Sequence, residues 1–157
     1  MCSSDLRKRE QLDYLEEPDL FHDVFGHIPL LADPMIADFL YGLARVAARY
    51  IDNENVIEAL ARLYWYTIEF GLVREGGEVK VYGAGILSSI SETQFALSPA
   101  ANRVPFNLDE VLATPYITDK FQEQYFVLDS MDQLAEILDV LTTQLFNRSS
   151  AQRRVSG

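Results

Sequence analysis

The chain is poor in the residues from which most ready-made sites are built. One cysteine, Cys2, stands among 157 residues. That excludes an internal disulfide and any cysteine-based zinc site, and it fits a reducing cytoplasm. Positive charge is also scarce: 13 basic residues face 24 acidic ones, for a formal net charge of −11. A nucleic-acid partner needs a basic face, so that class is set aside. No apolar run approaches the ~20 residues that span a bilayer. The charged start "MCSSDLRKRE" lacks the apolar stretch of a secretory signal. Gly83 and Gly85 begin a GxG, but Ser88 stands where a dinucleotide loop has its third glycine, and no βαβ unit follows.

What is present is globular. A 48% hydrophobic content with 11% aromatics can bury one core, so residues 1–157 are expected to form one domain, loosely ordered at 1–6 and 147–157. Pro18, with acidic neighbours, predicts a helix start, Gly26 a left-handed stop, and Pro29 a break. A second helix is expected from Pro34 to Ile51 under an Asp33 cap, striped by Ile36, Phe39, Leu40, Leu43, Ala47 and Tyr50. Asn53 should cap a third, running to Phe70 with Gly71 as its stop. Alternation at Val79 and Val81 predicts a short β-ribbon, and Ser89 to Glu92 has capping-box spacing. "SPAANRVPFNL" reads as a loop, "EQYFVLDS" as a strand, and Met131 to Leu145 as a final helix. The expected fold is mainly α with a small β-ribbon.

The chain's two histidines, His22 and His27, sit five apart in "FHDVFGH". On a regular helix, at ~100° per residue, they would point ~140° apart. A helix end at Gly26 would let them converge. Two core histidines bonded to backbone are the alternative. The third residue of interest is Glu69, the sole ionisable carboxylate in "LYWYTIEFGLV". A carboxylate buried there must be neutralised by a proton, a cation or a metal. An arginine partner is possible, but Arg62 lies two turns back. A metal would satisfy Glu69 and both histidines together. Two histidines and a carboxylate serve either a zinc hydrolase or the facial triad of non-haem iron. The run HDVFGH fits neither HExxH nor HxxEH, which favours iron.

"EEPDLFHDVFGHIPLL", "LYWYTIEFGL" and "VYGAGILSSISE" resemble, in order, the signature segments of the aromatic amino acid hydroxylases, most of all their bacterial phenylalanine-hydroxylating branch. The resemblance runs from about Arg7 to Ser130. It implies that family's catalytic-domain architecture and an Fe(2+) ion held by His22, His27 and Glu69. It also implies a tetrahydrobiopterin-type cosubstrate, dioxygen, and ring hydroxylation of an aromatic amino acid. Phenylalanine to tyrosine is the leading reaction, with tryptophan as the close rival. By the same resemblance Arg7 grips the substrate carboxylate, Asp19 orients Arg7, and Pro18, Trp65, Gly85 and Ser88 line the substrate pocket. Asp23 and Phe70 face the pterin, Tyr64 and Phe70 are aromatics around the iron, and Glu69 and Tyr64 are the catalytic residues. The resemblance further implies a monomer without a regulatory domain. It implies too that the chain corresponds to the C-terminal part of the catalytic domain, without the segment that carries the pterin loop. On that expectation it would bind iron more readily than it turns over.

Overall fold

The computed structural model describes residues 20–118 and 120–155. Arg7, Pro18 and Asp19 lie outside them.

The described residues open on a helical stretch made of α1 (Leu20–His22), a wide five-residue turn π1 (Asp23–His27), and α2 (Ile28–Leu31). Gly26 is therefore not a stop. It has no positive φ, and the helix continues through Pro29 to Leu31. The reason lies in hydrogen bonding. Pro29 has no N–H to offer the ladder, and the turn before it widens, with the Ile28 N–H reaching back five residues to the Asp23 carbonyl.

Asp33 caps α3 (Pro34–Arg49), its carboxylate accepting from the N–H groups of Met35 and Ile36. Asn53 caps α4 (Glu54–Tyr64), which passes into a second wide turn, π2 (Trp65–Glu69), closed by Phe70 N–H to the Trp65 carbonyl at 2.8 Å. Both caps stand where the sequence puts them.

β1 (Leu72–Glu75) and β2 (Glu78–Val81) form an antiparallel hairpin. Its two-residue turn needs left-handed backbone at both positions, and Gly76 and Gly77 supply it with φ of 60° and 86°. The ribbon belongs to a larger sheet, ordered β2-β1-β4-β3. β4 (Tyr125–Leu128) runs parallel to β1 on one side and to β3 (Arg103–Pro105) on the other. All four β4 residues are buried, as a continuous apolar run in a central parallel strand should be. The stretch read as a loop thus holds β3 and leads into α7 (Leu108–Ala113), capped by Asn107. A three-residue strand containing proline leaves no periodicity to read.

α5 (Ala84–Leu87) and α6 (Ile90–Leu97) follow the hairpin. Ser89 caps α6 by accepting from the Glu92 N–H at 3.2 Å, but the Glu92 side chain turns inward, so only half of the capping box forms. α8 (Gln133–Val155) closes the fold along α3 and continues through the residues read as a polar tail. The core gathers Phe39, Leu63, Ile68, Val111, Phe126 and Leu134 from helices and sheet alike. Among the described residues no helix is long and apolar enough to cross a membrane.

Candidate metal centre and the wall beside it

Three elements meet at the site, and close backbone approach makes this possible. The hairpin returns the chain to its own start: the N–H groups of Tyr82 and Gly83 both donate to the Gly71 carbonyl, at 3.2 and 3.1 Å. Residues 83–88 therefore lie beside Glu69. A Cβ on Gly83 would sit 2.4 Å from the Glu69 carbonyl oxygen, so only glycine fits. On the other side Gly26 packs on Ala84, where an added Cβ would meet the Ala84 Cβ at 2.9 Å. The "GAG" run is the thin layer between the histidine helix and the glutamate turn.

The wide turns then aim the side chains. In a bond pattern of i to i+5, residues five apart come to lie on the same face, where a regular helix would separate them. His22 and His27 face each other with their Nε2 atoms 2.8 Å apart. Glu69, last residue of π2, reaches both: Oε1 lies 3.1 Å from His27 Nε2 and Oε2 lies 3.6 Å from His22 Nε2. Donor atoms at right angles around one ion, each at about 2.1 Å, would be about 3.0 Å apart. The three observed separations bracket that spacing.

The surroundings prepare the donors. The Ser88 hydroxyl donates to the Gly85 carbonyl at 3.1 Å and lies 2.8 Å from His22 Nδ1. With a metal on Nε2 the His22 proton would sit on Nδ1, where the Ser88 oxygen is within reach to accept it. Burial pushes the Glu69 carboxyl up. The hydrogen bond and charge of His27, the charge of His22 and a hydrogen bond from Tyr64 outweigh it and hold the group below its ordinary range. His27 is held above its ordinary value, chiefly by its bond to Glu69 and against the effect of its own burial. Burial, then the neighbouring Glu69 charge, drives the Tyr64 phenol far upward, so it stays a neutral donor to that carboxylate. No lysine or arginine pairs with Glu69 among the described residues. A carboxylate 8% exposed, two imidazoles whose Nε2 atoms converge on it and no lysine or arginine beside it among the described residues suit a divalent metal.

Asp23 also has a carboxylate oxygen within 4.8 Å of both imidazoles. It is exposed, so water can solvate it, whereas Glu69 cannot be left without a partner. Glu69 is therefore the stronger candidate for a third donor, with Asp23 at the exposed edge. Beside the centre, Trp65 is sandwiched between Phe70, at 4.7 Å and 29°, and Tyr116, at 4.5 Å and 19°. Gly85 packs against the Phe70 ring, where an added Cβ would meet ring carbons at 3.0 and 3.1 Å.

The model of the biopterin-dependent aromatic amino acid hydroxylases matches residues 1–152. This chain belongs to that family. Phenylalanine-4-hydroxylase of Caulobacter vibrioides is 48% identical over 133 residues, covering 84% of this chain and 45% of its own length. Among solved structures, Chromobacterium violaceum phenylalanine hydroxylase with bound iron(III) and 7,8-dihydrobiopterin superposes with a TM-score of 0.79 at 46% identity. That match covers 90% of this chain and 52% of the other. The same enzyme with iron and phenylalanine bound gives 0.76 at 43% identity, covering 89% and 52%. The chain spans about half the length of the relatives it matches.

Sequence reading missed Tyr116, Gln122, Tyr125 and the inward course of Glu92. Glu92 alone carried a signal: an acidic residue amid "ISETQFAL" is open to the argument that singled out Glu69.

Proposed function

We propose that this chain contributes the metal centre and one pocket wall of a pterin-dependent iron monooxygenase that hydroxylates phenylalanine to tyrosine. The observation that carries the reading is the convergence of His22, His27 and Glu69, three donors within 3.6 Å of one another. Iron and pterin together supply dioxygen activation when both are bound.

The chain's residues do the rest. His22 and His27 would hold the ion through Nε2, and Glu69, adjacent to both and hydrogen-bonded by the Tyr64 hydroxyl, would supply the anionic donor. That leaves the remaining face of the ion open to reactants. Trp65, immobilised between two rings, forms a flat apolar wall for an aromatic side chain, with Phe70 and Gly85 beside it. Asp23, exposed beside the histidines, is assigned to the pterin, from whose ring N–H groups its carboxylate can accept hydrogen bonds, and Arg7 with Asp19 and Pro18 is assigned to the amino acid end. Phenylalanine is preferred over tryptophan on the strength of the relatives' activity. The reading also takes the chain as a cytoplasmic monomer.

The test is tyrosine formation from phenylalanine with added iron(II) and tetrahydrobiopterin, with tryptophan as competitor. Iron-dependent tyrosine formation is expected. Iron binding without turnover would reduce the proposal to a metal-binding role. Absence of iron binding would overturn it.

A further inference from the structure

Glu92 is a second carboxyl hidden by the fold, on α6 and 1% exposed. Its Oε1 accepts from the Tyr125 hydroxyl and, at 3.4 Å, from the Gln122 N–H. Oε2 has no hydrogen-bond partner. Burial raises the carboxyl above its ordinary range, against the two hydrogen bonds that lower it. Leucine or methionine would fill this volume without the cost of burying a polar group. Neither could hold two donors from one stretch of chain.

That stretch leads to the pocket wall. Gln122 is 2% exposed. Its side-chain carbonyl accepts the Trp65 indole N–H at 3.0 Å, while its amide donates to the Ile117 carbonyl at 2.7 Å. Stacking between Phe70 and Tyr116 keeps the Trp65 ring in its plane but leaves it free to slide and turn within that plane. The bond to Gln122 removes this freedom. Gln122 in turn is fixed at its backbone by Glu92, which also grips Tyr125 three residues on.

We propose that Glu92 is a positioning residue for Trp65: it clamps residues 122–125 to α6 so that Gln122 holds the indole edge in register at the pocket wall. The expected effect on turnover rests on Trp65 lining the substrate pocket. The effect on the indole itself does not.

Trp65 is the only tryptophan, so intrinsic fluorescence reads its environment directly. Glu92→Met and Gln122→Met in the full chain should both shift Trp65 emission. Each should raise KM for phenylalanine roughly five- to tenfold, the worth of one hydrogen bond, with kcat nearly unchanged. Glu92→Gln keeps an acceptor at Oε1 and should retain the parent's emission and KM. Parent-like emission in Gln122→Met overturns the inference, as does parent-like emission in a folded Glu92→Met. If Glu92→Met does not fold, the paired variant Glu92→Leu with Tyr125→Phe, which leaves no hydroxyl unpartnered, takes its place, and unshifted emission there removes Glu92 from the chain of contacts. Should the parent show no hydroxylation, the functional reading fails while the emission series still decides this one.

Discussion

Gly83→Ala should destabilise the protein and disturb the metal centre together. Gly83 has φ −63° and ψ 136°, which any residue adopts. Alanine would therefore bring no backbone strain and, given room, would stabilise by about 0.4–1 kcal/mol through the unfolded chain. Space decides otherwise. The new Cβ would lie 2.4 Å from the Glu69 carbonyl oxygen, 2.5 Å from the Gly71 nitrogen and 2.7 Å from the Glu69 carbonyl carbon. All three are backbone atoms, and the Gly83 N–H to Gly71 carbonyl bond at 3.1 Å ties the strands of this layer together. Overpacking costs up to about 3 kcal/mol where neighbours cannot move, so the net loss should be about 2 kcal/mol. In a chain of this size that lowers Tm by about 4–8 °C. Two of the three atoms belong to Glu69, so relief should displace it and metal affinity should fall too. Gly42→Ala is the control. Its Cβ would meet Leu138 Cδ1 at 2.6 Å, the end of a side chain that can rotate. Replacing a mid-helix glycine gains up to about 1 kcal/mol, so Tm there should be nearly unchanged or higher. The assay is thermal unfolding followed by iron(II) or cobalt(II) titration of each variant. Gly83→Ala melting at or above the parent, with the parent's metal affinity, would refute the reasoning.

Three further outcomes are expected. Glu69→Gln should weaken metal binding more than about 100-fold, beyond what loss of an outer partner costs, while the apo protein stays folded; equal affinities by titration would remove Glu69 from the ligand set. Ser88→Ala should weaken binding about 10–100-fold by releasing the His22 tautomer, and an unchanged affinity would mean the ring is oriented without it. Glu92 titrates above its ordinary 4.5 in the folded protein, so between that value and its raised one the native state holds more protons than the unfolded chain. Stability must then fall as pH rises through that window. Urea midpoints should show Glu92→Gln gaining on the parent as pH climbs from 4 to 8, and parallel curves would contradict the raised pKa.

Local chemistry decided much of this molecule without help. Asp33 and Asn53 cap their helices because their side chains reach their own next turn. The paired glycines at 76 and 77 close the hairpin by themselves. "YFVL" is apolar at every position and lies buried in the sheet centre. Glu69 stood out because an isolated carboxylate among aromatics must find a partner, whatever the fold. Tertiary structure decided the rest. The widened turns at Asp23–His27 and Trp65–Glu69 are invisible to a period of 3.6, because an i to i+5 bond leaves no mark in the pattern of apolar residues. Ser88 bonds a histidine 66 positions away, and Glu92 bonds residues 30 and 33 positions away. Sequence displays a residue's need for a partner, since that need comes from its own charge and its immediate neighbours. It does not display which partner answers, because hydrogen bonds between distant segments exist only once the chain has brought them together.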